Sequence, residues 1–271
     1  QIERELSVVQ ETSGTCVAAA VLTSSSLCVA NVGDSRIILT GAAGVIPLTT
    51  EHRPGDSLER ERIEQNGGKV VRVAYSVDDP GIDRIHPGGL AVSRVLGGAQ
   101  HKKNVGIVSP VPDISCATTD AFDSGEENCL MILASDGVWD VMTNEEVAEF
   151  AHTNISSMMS LHTLLFEQER ASPSAVTTVR SSDESKYTVG QLVDLPLAKV
   201  TGFVQSIETG QLHIREIPKS LVPYLSNGED ASGALMAWSL SVACQNIVDE
   251  CLRRGSGDNL SMLCVKQRFF N

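Results

Sequence analysis

The sequence predicts an α+β chain. Three observations carry that expectation: apolar runs of strand length joined by tight turns near the start, lone apolar runs at 129–134 and 260–265, and helix-period segments with capping signals. Taken in order, Ile2, Leu6 and Val9 share one helical face. Cys16–Leu22 and Ser26–Val32 read as strands about a Thr23-Ser24-Ser25 turn, and Arg36–Thr40 as a third. Asp56-Ser57-Leu58-Glu59 reads as a capping box, opening a helix that stops at Gly67-Gly68. Residues 72–89 read as a long loop, and Leu90–Leu96 as a short apolar element. Cys129–Ala134 is a continuous apolar strand, and Thr143-Asn144-Glu145-Glu146 is a second capping box. Met236, Leu240, Cys244, Ile247 and Cys251 keep helical spacing. Arg253 and Arg254 fall in that helix's last turn and Gly255 just past it. Leu260–Val265 is the last strand.

Three aspartates stand where these strands meet turns: Asp34 in Gly33-Asp34-Ser35, Asp136 in Ser135-Asp136-Gly137 and Asp258 in Gly257-Asp258-Asn259. Asp258 precedes a strand and Asp136 follows one, so antiparallel neighbours would bring both to one sheet edge. Each alone is ordinary turn chemistry, because Asp bonds its own backbone and Gly accepts positive φ. Together they would repel unless a cation sat among them, and oxygen-only ligands suit Mg²⁺ or Mn²⁺. None of the six histidines pairs with another at metal-ligand spacing, which argues against zinc. A net charge of −13 argues against nucleic acid or an anionic membrane as partner. From Asp113 to Phe150 there are ten Asp or Glu and no Lys or Arg, a field that would draw cations. No apolar run is long enough to span a bilayer. The seven cysteines show no Cys-x-x-Cys, and most sit in apolar strings. They read as reduced thiols of a cytoplasmic or nuclear protein.

The order of motifs is more specific than any one of them. Ser13-Gly14-Thr15-Cys16, Ala30-Asn31-Val32-Gly33-Asp34-Ser35-Arg36, Glu51-His52-Arg53-Pro54, Asn66-Gly67-Gly68 and Gly88–Gly97 lead on to the two later acidic turns. This series closely resembles the protein phosphatase 2C family of metal-dependent serine/threonine phosphatases, over nearly all of residues 10–150 and 234–268. The resemblance implies an α/β/β/α sandwich of two antiparallel sheets flanked by helices. It implies two Mn²⁺ or Mg²⁺ ions with Asp136 and Asp258 as ligands, and Asp34 in an outer acidic ring or on a third, weaker ion. Asn259 takes a supporting place, and Arg94 is expected near the acidic cluster, fixing carboxylates rather than touching substrate. It also implies hydrolysis of phosphoserine and phosphothreonine in phosphoprotein substrates by a metal-activated water. A monomer is expected.

The departures set further expectations. The family's early Arg-bearing strand, its Glu-Asp pair and its Asp-Gly-His-Gly-Gly strand do not occur in this sequence, and Gly98 stands where the family usually has Asp. The missing Asp normally bridges both metals and the missing Arg normally holds the phosphate. The expected explanation is a sequence lacking the front of its domain. The alternative is a pseudophosphatase that binds a kinase or regulator without turnover. One domain over 1–271 is expected, with an insertion at 167–233. That segment opens Ser/Thr/Pro-rich and continues as an expected hairpin of Val200–Phe203 and Leu212–Ile217.

Overall fold

The computed structural model describes residues 2–8, 12–41, 44–74, 76, 80–102, 106–118, 129–171, 179–180, 186–187, 213–214 and 228–267. They fall into two compact units: Gln1–Asp140 with Gly257–Asn271, and Val141–Ser256. The chain is α+β with antiparallel sheets.

The first unit opens with helix α1 (Ile2–Val8) and strands β1 (Gly14–Thr15), β2 (Val17–Leu22), β3 (Ser26–Val32), β4 (Arg36–Gly41) and β5 (Gly44–Pro47). Helix α2 (Ser57–Gln65) is followed by β6 (Lys69–Val73), β7 (Ile82–His86), β8 (Leu96–Gly97), β9 (Asp113–Thr118), β10 (Cys129–Ala134) and the short helix α3 (Asp136–Trp139). Strand β14 (Met262–Gln267) closes the unit, in the order β14-β10-β4-β5; a second sheet runs β2-β3-β9. The alternation of β3 turns Leu27 and Val29 inward. There they meet Ile37 and Leu39 of β4 and Met131 of β10 in one core cluster, with Ala18, Ala20 and Leu133 against it. The two sheets therefore pack face to face. Ile37, Ile38 and Ile132 are fully buried, so β4 and β10 are covered on both faces. That is why Ile37–Leu39 within β4 and the whole of β10 read as unbroken apolar runs. Each such side chain contributes about 1.5–3 kcal/mol. A second cluster joins Ile63 of α2, Ile85 of β7, Val95, Ile107 and Val108.

Register decides where the acidic turns go. Ala134 at the end of β10 faces Arg36 at the start of β4 and Met262 at the start of β14. The turns holding Asp34, Asp136 and Asp258 thus lie at one sheet edge.

The second unit holds two long helices that pack on each other, α4 (Asn144–Ala171) and α5 (Gly228–Arg253). Val147, Ala151 and Ile155 of α4 and Ala243, Ile247 and Cys251 of α5 are buried. The expected capping box opens α4. The Thr143 Oγ1 accepts from the Glu146 amide at 3.2 Å, and the Glu146 carboxylate accepts from the Thr143 amide at 2.8 Å. Gly255 takes a φ of +89° past the end of α5, and the Ser256 amide returns to the Cys251 carbonyl at 2.9 Å. A small sheet runs β12-β11-β13, formed by Val179–Arg180 (β11), Lys186–Tyr187 (β12) and His213–Ile214 (β13). Of the expected hairpin, Val200–Phe203 lies outside the described residues. His213–Ile214 pairs with Val179–Arg180.

Three expectations are corrected. Residues 72–89 are not one long loop, because β6 and β7 pair in register from Lys69↔His86 to Val73↔Ile82. Lys69-Val70-Val71-Arg72-Val73 does not alternate, so no period of two marks β6 in the sequence. At α2, Asp56 makes no side-chain cap; its carboxylate accepts from the Arg53 amide at 3.1 Å, and Glu59 is drawn inward to arginines instead. Finally, not all cysteines are reduced. Cys28 and Cys116 face each other across β3 and β9 and form a disulfide, with Cα atoms 4.1 Å apart. A pair 88 positions apart leaves no spacing signature, and the compartment argued from reduced thiols loses that ground. Cys129, Cys251 and Cys264 are buried thiols outside any disulfide, as expected of cysteines in apolar strings. Among the described residues no helix is long and apolar enough to cross a membrane.

Candidate active site

Asp34 follows β3 on a turn that is clamped on both sides of Gly33. The Gly33 amide donates to His52 Nδ1 at 3.0 Å, and its carbonyl accepts from the His52 amide and Asn31 Nδ2, both at 2.9 Å. Gly33 has a φ of +110°, and a Cβ there would overlap Cys16 Sγ. Glycine is therefore required twice, by conformation and by space.

Asp136 begins α3, directly after β10. Its Oδ1 accepts from the Gly137 amide at 2.9 Å, while Trp139 Nε1 donates back to the Ala134 carbonyl at 2.8 Å and pins the turn. Asp258 Oδ1 accepts from the Asn259 amide at 2.6 Å. Ser135 ties these two turns together. Its Oγ donates to the Asn259 carbonyl at 3.1 Å and accepts from the Ser261 amide at 3.1 Å, and its amide donates to the Ser261 carbonyl at 3.0 Å. Gly137 lets the turns approach, since a Cβ there would stand 2.9 Å from the Asn259 carbonyl oxygen and from Leu260.

The structure brings Asp34, Asp136, Asp258 and Asn259 together on one open cavity of about 640 Å³, which Cys16 also lines. Burial, then the charges of Asp34, Asp258 and Asp140 in that order, push the Asp136 carboxyl up to about 6. Burial and the Asp34 charge push the Cys16 thiol up to about 12, so only a trace of it is thiolate at neutral pH and it reacts slowly. Among the described residues no ion pair reaches Asp34, Asp136 or Asp258. Arg53 Nη2 holds Asp140 at 2.6 Å and its Nε holds Glu51 at 2.5 Å. Arg36 is paired with Glu51 at 2.5 Å and lies 5.1 Å from the Trp139 ring centroid.

Arg94 is not brought to these carboxylates. Its guanidinium holds Glu59 Oε1 at 2.6 and 3.1 Å and Asp113 Oδ1 at 2.7 Å. Its task is still to fix carboxylates, but those of α2 and β9. Burial opposes the charge on Glu59, yet Arg94, Ser93 and Arg62 together hold its carboxyl down at about 2.

The donor chemistry fits a hard divalent cation: carboxylate oxygens, mutual repulsion and, among the described residues, no protein cation paired with them. The donor count does not complete a set. Among the described residues no three His, Cys, Asp or Glu side chains are placed to hold one ion together. Reading the sequence missed four contributors to this edge. Ser135 acts on a partner 124 positions away; Asp140, Cys16 and His52 act through the fold. Only Asp140 carried a signal, as a fourth carboxylate one helical turn after Asp136.

Comparison with known proteins agrees with the geometry. The sequence pattern of the family Protein phosphatase 2C matches residues 2–180. Protein phosphatase 2C 53 of Oryza sativa subsp. japonica is 34% identical over 194 residues, covering 71% of this chain and 38% of the relative. Protein phosphatase 1G of Homo sapiens is 33% identical over 150 residues, covering 53% of this chain and 25% of the relative. The solved structure of a C. elegans sex determining protein superposes with a TM-score of 0.52 at 16% identity, covering 97% of this chain and 42% of that one; this supports the fold alone. The chain thus spans about a quarter to two fifths of the lengths of these relatives. The turns of Asp34 and Asp136 fall inside the matched residues, and the chain belongs to the protein phosphatase 2C family.

Proposed function

We propose that the protein is a serine/threonine protein phosphatase that hydrolyses phosphoserine and phosphothreonine in phosphoproteins, with Mn²⁺ or Mg²⁺ as its cofactor. The observation that carries this is the set of carboxylates at one sheet edge that no cation among the described residues neutralises, in a chain of a metal-dependent phosphatase family. Asp136 and Asp258 would hold the cation, with Asp34 beside them. When bound, such ions supply Lewis-acid activation of water and positive charge for the phosphoryl oxygens. The chain's own residues do the rest. Ser135 and the Asn259 carbonyl hold the Asp136 and Asp258 turns at a fixed separation. Burial at the mouth of β10 and β14 raises the cost of unpaired charge there and so favours cation entry. The high proton affinity of Cys16 keeps a competing thiolate out of the cavity.

The test is Mn²⁺-dependent release of phosphate from a phosphothreonine peptide by the natural full-length protein. Turnover that needs metal and is lost on Asp136→Asn supports the reading. The second reading is a phosphatase-like interaction module, favoured by the incomplete donor set. A full-length protein that folds, takes up Mn²⁺ and releases no phosphate from any phosphopeptide would establish it instead.

A further inference from the structure

A line of hydrogen bonds runs from the buried edge of α2 to the Asp34 turn, and no sequence motif announces it. Glu59 is buried, 4% exposed, and holds the Arg94 guanidinium at 2.6 Å. Arg94 Nη1 donates to Asp113 Oδ1 at 2.7 Å, and the other oxygen of that carboxylate, Oδ2, lies 3.0 Å from His52 Nε2. His52 is itself 1% exposed, and its Nδ1 accepts the Gly33 amide at 3.0 Å. Gly33 immediately precedes Asp34. A ring nitrogen that accepts an amide proton cannot also carry one, so the ring proton of His52 sits on Nε2 and is donated to Asp113.

We propose that His52 is a positioning residue for Asp34, kept in its Nε2–H tautomer by Asp113, which Arg94 orients in turn. Asp113 offers two acceptor oxygens to two donors, one of them a guanidinium that cannot give up its charge. The arrangement is directional: the permanent cation sets the carboxylate, the carboxylate sets the tautomer, and the tautomer sets the Gly33 peptide. The consequence for turnover rests on the phosphatase reading above, but the positioning itself does not, and a thiol reports on it. Gly33 packs directly on Cys16 Sγ, so a loosened Gly33-Asp34 turn uncovers that thiol.

The experiment compares Asp113→Asn, Asp113→Ala and His52→Gln with the parent chain. Alkylation of Cys16 by iodoacetamide is followed by peptide mass spectrometry, with buried Cys264 as internal reference. Asp113 is exposed, its side chain at 55%, so both substitutions there should fold. In Asp113→Asn the amide must turn its oxygen to Arg94 and its NH₂ to His52. Nε2 must then accept, the proton moves to Nδ1, and Nδ1–H opposes the Gly33 amide. A buried donor left facing a donor should speed Cys16 alkylation about tenfold. In Asp113→Ala water can take the Nε2 proton, the tautomer stays, and the rate should remain within about twofold. His52→Gln keeps a donor near the Nε2 position but loses the Nδ1 acceptor, and should behave as Asp113→Asn does. A merely structural role for Asp113 predicts the reverse order, Ala worse than Asn. That order, or equal rates in all three variants, overturns the proposal; so does His52→Gln at the parent's rate. Phosphatase activity of the Mn²⁺-loaded full-length variants is measured alongside. Altered thiol rates with no turnover even in the parent would refute the phosphatase reading and leave the positioning of Asp34 supported.

Discussion

Replacing Asp136 by Asn should stabilise the metal-free protein, and the pH at which it does so is fixed by the structure. The Asp136 carboxyl rises from its ordinary 3.8 to about 6 through burial first, then the charges of Asp34, Asp258 and Asp140. For a fully buried group a rise of that size would be worth about 3 kcal/mol. Asp136 is partly open to solvent, and screening reduces the figure to about 1–1.5 kcal/mol. The sign follows from linkage. The folded state holds this proton more tightly than the unfolded chain, so the Asp136 contribution to metal-free stability is fully present below about pH 4 and is lost as pH rises through 6. Asn keeps the oxygen that accepts the Gly137 amide and does not titrate. At pH 7 the variant should therefore melt roughly 2–6 °C above the parent. Near pH 4, where the parent is protonated, the two should melt together. Circular dichroism in the presence of a chelator at both pH values is the assay. An equal gain at pH 4 and pH 7 would refute repulsion as the cause, and a loss at pH 7 would show that the carboxylate has a favourable partner. Mn²⁺ should reverse the order at pH 7, because the parent gains by mass action what the variant cannot bind.

Calorimetric Mn²⁺ titration should show weakened binding in Asp136→Asn and Asp258→Asn and a milder loss in Asp34→Asn; parent-like affinity in the first two would reduce these aspartates to turn residues. Arg94→Lys should lower melting temperature as well as activity, since one ammonium cannot hold Glu59 and Asp113 together; unchanged stability with a large rise in KM would mean phosphate contact instead. Gly137→Ala should cost about 1–3 kcal/mol by forcing Asn259 and Leu260 away, and should weaken Mn²⁺ binding with it. Joining Ala171 to Gly228 by a short Gly/Ser bridge should leave a cooperative unfolding transition, because the buried contacts of α4 and α5 lie outside the removed segment.

What the sequence disclosed and what it hid differ in range. β10 was legible to the residue, because a strand covered on both faces has no polar interruption. The Thr143 cap was legible because its partners are three positions apart. The same pattern at Asp56 and Glu59 misled. A capping box competes with any stronger partner, and Glu59 has two arginines and Ser93 within reach, which a local motif cannot register. The three strand-end aspartates were legible as a set, since strand ends in register must share an edge. The apolar run before Arg94 shows that it emerges from the core, not that it meets Glu59 and Asp113 there. Ser135, His52 and the Cys28–Cys116 pair were hidden by sequence separation alone.

The distribution of arginines explains why the acidic edge stays charged. Arg36 and Arg53 approach it from β4 and the segment after it, and either could have neutralised it. Both are held off by Glu51, which takes each at 2.5 Å, and Arg53 spends its second contact on Asp140 rather than Asp136. Arg94 is held by Glu59 and Asp113. Each of these cations already has a carboxylate, and moving one to Asp136 would strand a partner with an unmet charge, at about 3–5 kcal/mol where that partner is buried, as Glu59 is. That exceeds the roughly 1–1.5 kcal/mol that relieving Asp136 would return. Among the described residues, Arg36, Arg53 and Arg94 thus offer no low-cost route to neutralise Asp34, Asp136 and Asp258. Below about pH 6 a proton on Asp136 relieves that edge, and above it the relief consistent with the proposed function is a cation from solution.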